Sequence, residues 1–214
     1  MRLPKPILPF IFIFFSISIS KGQTIRLDKT ALAGLVSEET VNVIFAYNEL
    51  TFDVTYIPEE EYLKEIHEKI ARRSNPKAAY DWQRDFKKGK EEDFPKAFVA
   101  ILNEELKDHD KVPTFILGAT NSNYTLVVHT HWMNFGWDIG AVKQPTKARM
   151  TLYFYRTNDP VNFISKTEIR NAEGLVSDSR YGNGLGPLPS LASLQHVYER
   201  VAPNLAKGLK RIVK

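Results

Sequence analysis

Ten residues in the middle of the chain, Tyr124 to Met133, alternate in a way that only a half-buried β-strand satisfies. Tyr124, Leu126, Val128, Thr130 and Trp132 fall on one side, and Thr125, Val127, His129, His131 and Met133 on the other. The run Ala148 to Thr157 repeats the division, with Met150, Leu152 and Phe154 opposing Thr151, Tyr153 and Tyr155. Asn158-Asp159-Pro160 reads as a turn, and Asn162 to Ala172 as a further strand of weaker contrast. Strands that follow one another through turns favour an antiparallel meander. Such a sheet must shield one face and can leave the other to solvent.

The shielding comes from helices. Val41 to Tyr47 is rich in β-branched and aromatic residues and reads as a first strand. Pro58 then opens a helix with Glu59, Glu60 and Glu61 in its first turn and Lys69, Arg72 and Arg73 in its last, complementing the macrodipole at both ends. Its stripe of Leu63, Ile66 and Ile70 is narrow, which suits a surface position. Asn75-Pro76 is a second start signal, and the segment 74–93, charged around Trp82 and Phe86, reads as a helical insertion or a hairpin. Phe94, Phe98, Ile101, Leu102 and Leu106 carry the stripe of a helix that packs on the sheet. A last helix, capped at Ser190, spaces Leu191, Leu194, Tyr198, Val201, Leu205 and Leu209 by threes and fours despite Pro203. The expected fold is α+β: an antiparallel sheet of about four strands with helices packed on one face.

The first 22 residues place Arg2 and Lys5 before the apolar run Ile7 to Ile19 and end in Ser20-Lys21-Gly22, the pattern of a secretory signal peptide. The apolar run is shorter than the ~20 residues a spanning helix needs, so the expectation is cleavage near Gln23 and no transmembrane span afterwards. Residues 23–214 then form a single domain. The whole sequence carries a net charge of +4, but removing Arg2, Lys5 and Lys21 leaves 26 basic against 25 acidic side chains. A body so close to neutrality gives no electrostatic reason to expect nucleic acid as a partner. There is no cysteine, which excludes disulfides, thiolate metal sites and thiol catalysis. Export without disulfides points to the periplasm or cell surface of a Gram-negative bacterium.

His129 and His131 share a strand face, about 7 Å apart by strand rise. A zinc site needs that convergence plus further ligands, and Asp138 just past the strand is the candidate third. Tyr153 and Tyr155 belong to the same face, and Phe135 and Trp137 to the loop beyond it; aromatic groups with polar tips suit stacking on sugars or gripping a protein. Gly182-Asn183-Gly184-Leu185-Gly186 matches neither a dinucleotide nor a phosphate-loop spacing, and Pro187 and Pro189 remove amides that would bind an anion. No serine sits in a nucleophile elbow.

The stretch Tyr124 to His131 followed by Phe135-Gly136-Trp137-Asp138-Ile139-Gly140 resembles uncharacterised exported proteins of Bacteroidota, in which a strand of this kind leads into a similar glycine loop. The order strand, helix, strands, helix over about residues 41 to 212 is also similar to envelope domains related to the amino-terminal domain of TolB and to lipoproteins that activate cell-wall synthases. The resemblance implies a binding module without catalytic residues or cofactor, serving an envelope protein or glycan. This chain lacks the lipidated cysteine of those lipoproteins. Two functions are therefore expected: a non-catalytic envelope accessory module binding through His129, His131, Tyr153, Tyr155, Phe135 and Trp137, or a metal-dependent hydrolase with zinc on His129, His131 and Asp138.

Overall fold

A computed structural model describes residues 25–138, 143–175 and 189–212, with backbone alone for Trp137 and Asp138. The segment 1–22, expected to be a signal peptide, Ile139-Gly140 and the Gly182 to Gly186 loop lie outside the described residues. In chain order the elements are β1 (Thr40–Ala46), β2 (Thr51–Phe52), β3 (Ile57–Pro58), α1 (Glu59–Arg73), α2 (Pro76–Lys88), α3 (Phe94–Leu106), β4 (Thr114–Leu117), β5 (Tyr124–Asn134), β6 (Trp137–Asp138), β7 (Lys143–Gln144), β8 (Lys147–Arg156), β9 (Asp159–Glu173) and α4 (Leu191–Leu209).

The α+β expectation holds, but the sheet is larger and mixed. It has seven strands. β5, β8 and β9 form the antiparallel meander read from the sequence. β1 instead runs parallel to β5 and to β4, a short strand around Phe115-Ile116-Leu117. Three helices separate β1 from β4, and a crossover of that length returns the chain in the same direction, whereas a tight turn cannot. β2 extends the sheet beside the far end of β5.

Asn75 caps α2 by accepting a hydrogen bond from the Ala78 amide at 2.8 Å, with Pro76 in the first turn. The segment 74–93 is helical throughout its second part, and its Trp82 and Phe86 enter the core. It runs into α3 through a π turn, Gly89–Asp93, where the Phe94 ring lies so close to Gly89 that a Cβ would overlap it. Phe94, Phe98 and Leu102 of α3 and Leu194, Tyr198, Val201 and Leu205 of α4 are buried, as are Val41, Val43, Leu126, Val128, Met150, Leu152 and Phe154 of the sheet. Rings knit the two layers: Phe45 meets Phe98 edge-on at 5.5 Å, and Tyr198 stacks on Phe94 at 5.4 Å.

One irregularity matters for the other face. Thr130 pairs with Met150, but the next pair is Trp132 with Arg149, so β5 carries an extra residue, His131. A bulge of this kind resets the alternation beyond it. Met133 is fully buried in the core, and Trp132 stands outside the core cluster on the histidine side. The period-2 reading, which placed Trp132 with Leu126 and Met133 with His129, is corrected by that single inserted residue.

Candidate functional site

The helices cover one face of the sheet. The other carries side chains that an exposed surface does not ordinarily display together: Ile44, Ile116 and Phe163 are 45%, 40% and 51% exposed, beside Val127, Tyr153 and Tyr155. Strand geometry explains the grouping. Ile44 pairs with Val127, Val127 with Tyr153, and Tyr155 with Phe163, so the residues form rows across β1, β5, β8 and β9. Ring centroids separate Tyr153 from Tyr155 by 6.0 Å, from Phe163 by 5.7 Å and from His129 by 6.5 Å.

His129 and His131 do share this face, with ring centroids 6.0 Å apart. Nε2 of His129 lies 2.9 Å from the Asn48 carbonyl oxygen, a contact in which the imidazole donates. That nitrogen would have to leave Asn48 before it could ligate a metal. Asp138 sits in the β6–β7 ribbon, and its side chain is outside the described residues, as is that of Trp137. Among the described residues no three His, Asp or Glu side chains gather as a cation site.

Phe135 belongs elsewhere. It is 5% exposed and stacks within the core against Phe52 at 6.4 Å and Tyr62 at 6.1 Å, with Trp82 edge-on at 5.7 Å. The sequence reading placed it with the binding residues because an aromatic beside a glycine in a loop has the same signature whether it points outward or inward. The backbone of the loop folds it under β2.

The structure adds residues to the histidine end of the face. The Arg149 guanidinium lies 4.5 Å from the Trp132 ring and 5.7 Å from the Tyr56 ring, and its Nη1 donates to the Tyr56 hydroxyl at 2.7 Å. Trp132 Nε1 donates to the Asp53 carbonyl at 2.7 Å, and Thr51 Oγ1 to the His131 carbonyl at 3.1 Å. These bonds pin the segment 48–56 to the bulge. The pinned segment is strained: Glu49, Asp53 and Tyr56 have φ of 60°, 57° and 55°. Each left-handed non-glycine residue costs about 1–3 kcal/mol and persists only where its surroundings hold it. Arg149 was legible in principle, since it shares the parity of Thr151 and Tyr153; Trp132 was hidden by the bulge.

Burial, then the neighbouring His129 and Arg149, push the His131 pKa below its ordinary value of 6.5. Glu168 and the His129 backbone pull the other way, less strongly. Burial likewise raises Asp53, with Lys69 opposing, and Tyr155, with Tyr153 adding. The consequence for His131 has a definite sign. From about pH 6.5 downward, the unfolded chain takes up the proton that the folded chain resists, so stability falls as pH drops toward the lower folded value. Above that window His131 contributes no pH dependence. His131→Gln is expected to flatten this part of the curve, measured as urea midpoints of both proteins from pH 8 to pH 4.5. A variant curve parallel to wild type throughout would contradict the assignment.

No protein-family model and no curated protein sequence matches this chain. Solved structures that align with this chain include a protein of Xanthomonas campestris carrying the family-model description DUF330, at 6% identity and a TM-score of 0.36 over 82% of this chain and 84% of that one. They also include the PelC dodecamer from Paraburkholderia phytofirmans, at 11% identity and a TM-score of 0.33 over 85% of this chain and 96% of that one.

Proposed function

We propose that this protein is a non-catalytic accessory module, exported to the envelope of a Gram-negative bacterium, that holds an envelope protein or glycan against the uncovered face of its sheet. One observation carries the reading. A sheet sealed by helices on one side presents on the other a row of half-exposed rings, Tyr153, Tyr155 and Phe163, continuous with Ile44 and Val127. Covering such rings removes apolar area from water at roughly 25 cal/mol per Å², while the tyrosine hydroxyls remain free to bond at the rim. The amino-terminal sequence supports export, and no helix among the described residues is long and apolar enough to cross a membrane.

The test compares the protein with its Tyr153→Ala/Tyr155→Ala variant. Both side chains lie on the outer face, so the melting temperature is expected to stay within a few degrees of wild type. Retention of envelope components after chemical cross-linking is expected to fall at least tenfold. A variant that retains the same components at the same yield sinks the reading, as does recovery of the chain from cytosol with Met1 in place.

A further inference from the structure

Building on that reading, we propose that the open face takes an acidic oligosaccharide: one sugar ring lies on Tyr153 and Tyr155, and the carboxylate of another sugar along the chain pairs with the Arg149 guanidinium. Three observations converge on this ligand class.

The first is charge. Across the facing middle segments of β8 and β9, the outward side chains include Arg149, Lys166 and Arg170 against the single carboxylate of Glu168. Glu168 lies 3.2 Å from Lys166 and 3.5 Å from Arg170, so two cations offset its charge where it stands opposite Thr151. Arg149 has no carboxylate partner among the described residues; its contacts are the Tyr56 hydroxyl and two ring faces. Nη1 spends a hydrogen on Tyr56, which leaves most of the five-donor fork for a ligand. A planar fork of this kind matches a carboxylate in a way a lysine cannot.

The second is preorganisation. An arginine set between two rings loses little freedom when it binds, and one of those rings belongs to Tyr56, a bulky residue in the left-handed region. The strained segment 48–56 is fixed by hydrogen bonds to His129, His131 and Trp132 on β5 and so presents Tyr56 to Arg149. Strain maintained beside a half-exposed cation is characteristic of ligand clamps.

The third is shape. Tyr153 and Tyr155 lie at 6.0 Å centroid spacing on a pleated surface, flanked by Lys166, whose Nζ is 5.9 Å from the Tyr153 ring centroid. Arg149 and Tyr153 are four residues apart on β8, about 13 Å by strand rise, and Thr151 between them is buried, with His129 and Glu168 as its cross-strand neighbours. An oligomer with one ring stacked on tyrosine and an acidic sugar further along the strand reaches both groups at once.

The experiment is isothermal titration of the purified protein with tetragalacturonate, with neutral maltotetraose and with hexaglutamate. Tetragalacturonate is expected to bind at least tenfold more tightly than either of the others, and the preference is expected to shrink as sodium chloride rises from 50 to 300 mM. Arg149→Gln should remove the preference, and Arg149→Lys should restore part of it. Lys166→Gln, at an exposed position, should reduce it a few-fold and serves as the informative variant if Arg149→Gln does not fold. Equal affinity for the two saccharides, a preference unchanged in Arg149→Gln or Lys166→Gln, or hexaglutamate binding as tightly as tetragalacturonate overturns the inference. Envelope retention that needs the two tyrosines, together with indifference to these probes, removes the acidic saccharide alone. Retention independent of both tyrosines removes the binding face itself.

Discussion

Gly136→Ala is expected to destabilise the protein by roughly 2–6 kcal/mol, adding about 1–3 for a left-handed backbone to about 1–3 for overpacking. Gly136 has φ of 69°, and its amide donates to the Asn134 side chain at 2.8 Å, which fixes the turn out of β5. A Cβ there would meet the Gln144 carbonyl oxygen at 2.2 Å and two Pro145 backbone atoms within 2.8 Å. Backbone cannot rotate aside as a side chain can. The β6–β7 ribbon would have to move, and with it Phe135, whose carbonyl accepts from Thr146 at 3.0 Å. Gly118 supplies the control, because its φ of 66° is similar but nothing lies within 4 Å of its would-be Cβ. Gly118→Ala should therefore show the conformational cost alone, about 1–3 kcal/mol. Urea denaturation of the two variants at unchanged m separates the effects. Equal losses would mean that the ribbon does not press on Gly136.

The comparison shows why part of this molecule was legible and part was not. Strand parity is a local property, so Met150, Leu152 and Phe154 against Tyr153 and Tyr155 could be read from the sequence, and the structure keeps that division. Helix starts are local too: Asn75 and Ser190 each cap the helix that their position announced. Direction is not local. Whether β1 lies parallel or antiparallel to β5 depends on a connection of three helices, and nothing in Val41 to Tyr47 encodes it. The bulge at His131 is likewise set by the partner strand. His131 and Trp132 occupy consecutive positions on a strand, and only the pairing with Met150 and Arg149 reveals that the alternation restarts between them. The same holds for Phe135, whose direction follows from the turn at Gly136 rather than from its own chemistry. Of the candidate residues, His129, His131, Tyr153 and Tyr155 were found through parity, whereas Arg149, Trp132 and Tyr56 required the register.

Tyr198→Ala should be the most damaging core substitution tested, at about 3–5 kcal/mol for deleting a buried aromatic ring. The side chain has no solvent exposure, lies nearly parallel to Phe94 at 5.4 Å, and sits 5.8 Å from Phe45, so it joins α4 to both α3 and β1. Its hydroxyl shares a buried hydrogen bond with Thr130 Oγ1 at 3.0 Å. Burial pushes the Tyr198 pKa up to about 12, with the Thr130 and Tyr47 hydroxyls opposing. The neutral phenol is thus the species in the core, and the ring and hydroxyl contributions can be separated. Tyr198→Phe keeps the stack but leaves the Thr130 hydroxyl without this partner, at a cost of about 1–3 kcal/mol. Thr130→Val in the Tyr198→Phe background removes one stranded group and should recover part of that loss, because the buried Tyr47 hydroxyl beside Tyr198 still lacks a partner. A double-mutant cycle in urea measures the coupling. Thr130 also stands between His129 and His131, so this bond ties the core side of β5 to α4 at the point where the bulge begins. Loss of the bond is expected to move the His129 and His131 imidazole resonances even though Tyr198 touches neither ring. Unchanged imidazole shifts in Tyr198→Phe would show that the bulge holds its geometry from the β2 side alone, through Thr51 and Asp53.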